Sequence, residues 1–138
     1  MENLFKKGKY SKSIRMWISE KESFIMRSII DFDNSGIEQF RLALSEIPVG
    51  QETPEHVHNS DEIFYVLEGN GTFRIEGREY EVNEGDTFCV KANIVHGPNS
   101  NSGTKTLKFL YVIGQLKQPQ SWHDSSLKSG DKPKIEYI

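Results

Sequence analysis

The sequence has little of the material that extracellular and membrane proteins require. It contains one cysteine, Cys89, in 138 residues, so no intrachain disulfide can form, which favours a reducing cytoplasmic location. No apolar run approaches the roughly eighteen residues that a membrane helix needs. The polar start, residues 1–13, lacks the apolar segment of an export signal. We therefore expect a cytoplasmic protein without a membrane partner.

Excess positive charge is also absent. The 17 Lys and Arg residues are outnumbered by 20 Asp and Glu residues, which gives a net charge of −3. Nucleic-acid surfaces need a basic stripe interleaved with aromatic residues, and the chain has none, so we expect no nucleic-acid partner.

A chain of this length predicts one domain, residues 1–138, with a single core.

What the sequence does contain is a series of short β-rich segments separated by turns. Phe40, Leu42 and Leu44 alternate with polar or small residues, the period of two that indicates a sheet with unlike faces. The predicted strands are 23–30, 38–47, 55–58, 62–68, 71–76, 79–82, 87–90 and 106–113. Turn residues recur between them, at 33–36, 68–71, 76–78, 83–86 and 97–100. This spacing predicts an all-β sandwich or barrel.

Both ends of the chain depart from this pattern. Residues 1–13 are polar and Lys-rich, and they predict a loosely held lead-in to N-terminal strands within residues 14–37. Residues 115–138 lose the alternation and gather Lys, Ser, Gly and Pro. They predict an extended C-terminal arm with a brief helix near Trp122.

Three histidines and one glutamate are spaced as metal ligands. If residues 55–58 form a strand, His56 and His58 point to the same side, about 6.5 Å apart along the chain. The polar tripeptide that follows can turn the chain and return Glu62 to the same point, and His96 is a fourth candidate downstream. Imidazole with one carboxylate suits a divalent Mn, Fe, Co, Ni, Cu or Zn ion, and leaves coordination positions for water or substrate.

This pattern resembles the cupin superfamily. The first family motif places Gly, His-x-His, Glu and Gly at fixed spacing, and the chain fills every fixed position with Gly50, His56, His58, Glu62 and Gly69. The second motif is matched at Gly85 and His96, whereas its Pro, Gly and Asn positions hold Lys91, Asn93 and Ser100. Asn93 can adopt the left-handed conformation that Gly would supply, and Asn99 or Asn101 could substitute for the missing Asn.

The resemblance implies a fold and an assembly. It implies a double-stranded β-helix, or jelly-roll, barrel over roughly residues 38–114, in a chain with a single such domain. It implies that one divalent transition metal ion is bound by His56, His58, Glu62 and His96. Sheets of this family are often closed by strand exchange between subunits, and exposed strand edges give a physical reason for this, so we expect a homodimer.

Three further residues are candidates for substrate contact. Arg41 can clamp a carboxylate or phosphate if it lies on the inner face of its strand, and the alternative is a solvated arginine on the outer face. Phe64 shares the parity of Glu62 and should face inward as a pocket wall or packing residue. Tyr111 lies on the last barrel strand, where an inward hydroxyl could reach a ligand. Phe64 and Tyr111 occupy positions that are more often core.

Two other side chains with reactive groups receive no chemical role. Cys89 lies between Phe88 and Val90 in an apolar strand, so we expect a small buried hydrophobe. His123 lies in the polar C-terminal segment, so we expect it to be exposed, with a role as a lid over the site as the alternative.

The leading functional hypothesis is a metal-dependent enzyme that coordinates a small oxygenated molecule. The resemblance implies dioxygenases, isomerases, lyases and decarboxylases as reaction types. The alternative is a non-catalytic module that binds or senses a sugar-like metabolite. Sensory cupins commonly carry a DNA-binding helix-turn-helix, and no such helical pattern is present. A seed-storage-like structural role is the third hypothesis, which the small size and complete ligand set disfavour.

Overall fold

The structure, a computed structural model, describes residues 12–114 and 134–138. These residues form ten strands and one short helix: β1 (Lys12–Trp17), β2 (Ser23–Ile30), α1 (Phe32–Ser35), β3 (Phe40–Ile47), β4 (Glu62–Glu68), β5 (Gly71–Ile75), β6 (Arg78–Val82), β7 (Thr87–Val90), β8 (His96–Ser100), β9 (Leu107–Gly114) and β10 (Lys134–Tyr137). No helix in these two ranges is long and apolar enough to cross a membrane.

The strands form two antiparallel sheets that share one core. The larger sheet has the order β10-β1-β2-β3-β9-β4-β7, and the smaller has the order β6-β5-β8. Phe73 from the smaller sheet meets Phe64 and Phe109 from the larger sheet edge to face, with ring centroids 5.7 and 5.2 Å apart. Side chains from the two inner faces therefore interdigitate, and the predicted all-β jelly-roll class is confirmed.

Strand β4 shows how alternation in the sequence selects a face. Glu62, Phe64 and Val66 are buried, whereas Ile63 and Tyr65 between them are 58% and 44% exposed. Successive side chains of a strand point to opposite faces, so the polar Glu62 lies on the same inner face as the core. A carboxylate in that position needs partners, because burying an isolated charge is costly.

Two neighbouring rows on the inner face hold the polar side chains of the site. The pairing of β3, β9 and β4 places three residues side by side in the first row: Arg41, Ile113 and Glu62. The next row consists of Ala43, Tyr111 and Phe64. Tyr111 is therefore a diagonal neighbour of both Arg41 and Glu62, within reach of long side chains.

The secondary structure differs from the predictions at three points. Residues 55–58 form no strand, and His56 makes only an isolated bridge to His96. Residues 97–100, predicted as a turn, continue β8 along the edge of the smaller sheet. Pro98 cannot donate to a neighbour, which suits an edge position. Residues 33–36, predicted as a turn, hold most of α1 and its C-cap Gly36, and Asp31 and Asn34 form a reciprocal capping box at the start of this helix.

The ends of the described chain extend the larger sheet. β1 begins at Lys12 and pairs with both β2 and β10. β1 and β2 therefore lie side by side in the larger sheet, and residues 134–137, the last part of the predicted arm, form its edge strand. The helix predicted near Trp122 lies outside the described residues.

Candidate metal centre

The four predicted ligands come from three places in the fold. His56 and His58 lie in the loop between β3 and β4, Glu62 begins β4, and His96 begins β8. Two backbone hydrogen bonds of 2.8 and 2.9 Å join His56 to His96 and fix this loop against the smaller sheet. The loop therefore carries both histidines to the site, although it does not form the strand that the spacing predicted.

The ligand atoms of these four residues all lie within 4.8 Å of one another. Oε1 of Glu62 is 2.5 Å from Nε2 of His58 and 3.0 Å from Nε2 of His96. The rings of His56 and His96 have centroids 4.1 Å apart. All four side chains are buried or nearly so. The structure thus contains a buried group of three histidines and one glutamate that is able to bind a metal.

Backbone carbonyl groups fix the orientation of the imidazole rings. Each Nδ1 lies near a carbonyl oxygen: His56 with Pro54 at 2.9 Å, His58 with Ser60 at 3.2 Å, and His96 with Ile94 at 2.8 Å. A carbonyl only accepts hydrogen bonds, so each Nδ1 carries the proton and donates it. In a neutral ring, Nε2 then keeps its lone pair, and this nitrogen is the one available to a metal.

The protonation states make the cluster rich in acceptors. Burial alone would raise the pKa of Glu62, but hydrogen bonds with His58 and His96 outweigh it and hold that pKa at about 2. Burial, and after it the neighbouring His96, lower the pKa of His56 to about 3, so His56 is neutral at pH 7. An ionised carboxylate and imidazole lone pairs this close repel one another unless protons or a cation lie between them. The donor set therefore fits a divalent cation.

Nitrogen and oxygen ligands in this proportion narrow the class of metal. Imidazole suits Mn, Fe, Co, Ni, Cu and Zn, whereas Ca²⁺ and Mg²⁺ take oxygen ligands. Three neutral imidazoles and one carboxylate leave about one net positive charge on a divalent ion. A six-coordinate ion would keep two positions for other ligands.

A cavity of about 30 Å³ adjoins the cluster. All three predicted substrate candidates line it: Arg41, Phe64 and Tyr111. Arg41 shares the inner face of β3 with the buried Ala43 and Ser45, so the outer-face alternative for this arginine is wrong. The apolar part of the wall comes from Phe24, Met26, Phe109 and Ile113, together with Phe64. The structure brings the candidates together, and substrate contact stays a prediction.

Three polar residues of the cavity wall were not predicted as site residues, and the first of them is Ser45 on β3. Asn99 lies on β8 opposite Phe73, and Thr53 lies in the loop before β4. The sequence pointed to Asn99 only as a possible substitute for the Asn that the second motif lacks. Asn101, the alternative, is structural instead, because its amide donates to the carbonyls of Ile47 and Lys105.

The two side chains without a predicted role have different outcomes. Cys89 is exposed, so its prediction as a buried hydrophobe is wrong. It pairs with Ile63 across β4 and β7, and that row faces outward because Glu62 and Val90 beside it face the core. The parity of the strand decides the face, and the apolar neighbours of Cys89 in sequence point inward. His123 lies outside the described residues.

Comparison with known proteins identifies relatives over most of the barrel. A family model described as "Cupin domain" matches residues 43–113. An uncharacterized protein of Methanocaldococcus jannaschii is 34% identical over 105 residues, which are 75% of this chain and 82% of that protein. Quercetin 2,3-dioxygenase of Bacillus subtilis is 42% identical over 59 residues, which are 42% of this chain and only 18% of that enzyme.

Solved structures show the same architecture. The crystal structure of a predicted oxalate decarboxylase from Thermotoga maritima is similar with a TM-score of 0.61 and 26% identity. The similarity covers 68% of this chain and 82% of that one. Nearly the whole of that small protein therefore has a counterpart here, whereas the dioxygenase extends far beyond the matched segment.

Proposed function

This chain belongs to the cupin family, and we propose that it is a divalent-metal-dependent enzyme acting on a small oxygenated molecule. In the proposal His56, His58, Glu62 and His96 hold one transition metal ion, and the substrate reaches that ion through the adjoining cavity. A bound ion would act as a Lewis acid on an oxygen of the substrate or, if it is iron, would support oxygen chemistry.

The observation that carries the proposal is the convergence of acceptors in a buried cluster. The three Nδ1 atoms face backbone carbonyls, and the Glu62 carboxylate is ionised. The four ligand atoms also lie within 4.8 Å of one another, as binding of a single ion requires. The cavity beside it supports access for a small ligand, because 30 Å³ has room for two or three water molecules.

Dioxygenase activity is the narrower proposal. Similarity to a quercetin dioxygenase supports it over 59 residues. Aromatic walls such as Phe64 and Phe109 support it as well, since they suit the apolar part of an aromatic substrate beside the ligands. A ligand-binding role without turnover is the competing outcome, and it shares the same metal and cavity.

The test is metal analysis of the purified protein beside two single-histidine variants. His58→Ala should lose near-stoichiometric metal, because it removes one of four ligands from a buried site. His123→Ala is the matched control, since it removes the one histidine of the sequence that is not in the cluster. Oxygen consumption with catechol-like and diketone substrates then tests the narrower proposal. Equal metal content in all three proteins would contradict the metal site.

We also propose a homodimer. The outer face of β4 supports this, because Ile63, Tyr65 and Leu67 are each more than 40% exposed and adjacent on one face. Light scattering after size exclusion should give twice the 15.8 kDa mass of the chain. Ile63→Lys, at the most exposed of the three, should shift the mass toward the monomer.

A further inference from the structure

Two buried polar atoms of the cavity wall lack a hydrogen-bond partner among the described residues. They are Oδ1 of Asn99 and the hydroxyl of Tyr111, in side chains that are 4% and 5% exposed. No other described side chain has such an atom, and both of these residues line the cavity beside the metal ligands. Each unpaired buried polar group costs about 1–3 kcal/mol, so two of them in one cavity favour a polar ligand that would pair with both.

The two atoms need different hydrogen-bond partners. An amide oxygen only accepts, so Asn99 needs an O–H or N–H group opposite it. Burial raises the pKa of Tyr111 to about 12, with the charge of Arg41 opposing part of that rise. Tyr111 is therefore a phenol at physiological pH and can donate to an oxygen of the ligand.

Arg41 supplies the third element of recognition. Its strand position makes it a diagonal neighbour of Tyr111 on the inner face, and it lines the same cavity. A guanidinium has five N–H donors in a planar fork that matches a carboxylate, so it can bind an acid while keeping other contacts. Arg41 and a divalent ion would together outweigh the charge of Glu62, which favours an anionic ligand and disfavours an ammonium group.

We propose that Arg41, Tyr111 and Asn99 form a recognition site for a short hydroxycarboxylic acid. The carboxylate accepts hydrogen bonds from Arg41 and Tyr111, and the hydroxyl donates to Oδ1 of Asn99. This inference rests on the proposed function, because it names the substrate class of the same cavity. A neutral sugar lacks the carboxylate, and a simple carboxylate or dicarboxylate ion lacks the donor for Asn99.

The experiment is calorimetric titration of the purified protein, in its measured metal state, with four probes. Glycolate carries both groups, acetate and oxalate lack the hydroxyl donor, and ethylene glycol lacks the acid. We expect glycolate to bind at least about tenfold more tightly than acetate or ethylene glycol, the factor that corresponds to one good hydrogen bond to a buried polar group. Equal affinity for glycolate and acetate would overturn the assignment of Asn99.

Variants separate the three roles. Asn99→Leu should bring glycolate affinity down to that of acetate, and Arg41→Gln should weaken both acids while ethylene glycol is unaffected. Tyr111→Phe keeps the ring and should weaken glycolate about tenfold. Tyr80→Phe, at an exposed position of β6 away from the cavity, is the matched control and should bind like the wild type. Unchanged glycolate affinity in both Tyr111→Phe and Arg41→Gln would refute the site.

Metal content of every sample separates this inference from the function that it deepens. If the wild type holds metal but does not prefer glycolate over acetate, the inference fails and the metal site stands. If the wild type holds no metal and still prefers glycolate in a manner that depends on Asn99, the recognition site stands and the enzyme proposal fails.

Discussion

Replacing Tyr111 by Phe should stabilise the ligand-free protein while weakening its ligand binding. The Tyr111 hydroxyl is buried, and no described residue accepts its proton or donates to it. Removing an unpaired buried hydroxyl without changing the ring should recover about 1 kcal/mol, the lower part of the cost of such a group. For a domain of this size that gain corresponds to a rise in Tm of about 4 °C.

Scanning calorimetry of chelator-treated protein measures this change without a contribution from metal binding. Tyr80→Phe is the control, because the Tyr80 side chain is 49% exposed and the Tm of this variant should stay close to that of the wild type. A Tm for Tyr111→Phe that falls by several degrees would refute the reasoning, since it would mean that the hydroxyl has a stabilising partner.

Adding a saturating ligand should reverse the order of stability. If glycolate binds the wild type ten times more tightly than Tyr111→Phe, saturation stabilises the wild type by about 1.4 kcal/mol more. That exceeds the gain of about 1 kcal/mol from removing the hydroxyl. The wild type should therefore melt at the higher temperature with ligand and at the lower temperature without it. If the two proteins melt in the same order with and without ligand, the Tyr111 hydroxyl does not take part in ligand recognition.

Three further predictions concern other parts of the molecule. Cys89 is exposed, so one thiol should react with Ellman's reagent in the native protein within minutes, and reaction only after denaturation would contradict the structure. The pKa of His56 is about 3 in the folded protein and about 6.5 in the unfolded chain, so its stabilising contribution is present above pH 6.5 and is lost as the pH falls toward 3. Urea unfolding of metal-free protein should show this loss of stability at low pH. The loss should be smaller in His56→Gln, because that variant has no imidazole to protonate. A Cβ at Gly71 would lie 2.2 Å from the carbonyl oxygen of Ser100, whereas the atom nearest to one at Gly103 would be the amide oxygen of the exposed Asn70 side chain, at 2.6 Å. Backbone cannot move as easily as the end of a side chain, so Gly71→Ala should lower the free energy of unfolding by about 2 kcal/mol or more and Gly103→Ala by less.

The sequence predicted the fold class and the candidate ligands because both depend on short-range patterns. Alternation along β4 assigned Glu62 and Phe64 to one face, and the pairing with β9 places that face in the core. The spacing of His56, His58 and Glu62 lies within seven residues, so one turn suffices to bring them together. The strand expected at 55–58 was unnecessary, since the backbone bridge to His96 holds the loop.

What the sequence left open depends on pairing between distant strands. The inward direction of Arg41 follows from its register with Ile113, more than seventy positions away, and periodicity alone cannot give that register. The position of Asn99 at the cavity depends on β8, and the sequence predicted a turn there because Gly97 and Pro98 are typical turn residues. The burial of Cys89 was predicted wrongly for a related reason. Its apolar neighbours in sequence suggested burial, whereas the parity of β7 places its side chain on the outer face.

The register of β9 determines both the packing of the core and the position of the Tyr111 hydroxyl at the cavity. Along the inner face of β9, Leu107 lies in a row with Ile47 of β3 and Phe109 lies in a row with Val66 of β4, so both rows are mainly apolar. Tyr111 and Ile113 continue the same parity to the site. A slip of one residue would expose the buried side chains and would replace Tyr111 at the cavity by Leu110 or Val112. The apolar rows therefore fix the position of the hydroxyl, although that hydroxyl contributes nothing to the packing that holds it. An unpaired polar group is tolerated at the end of the row because the rows before it determine the pairing.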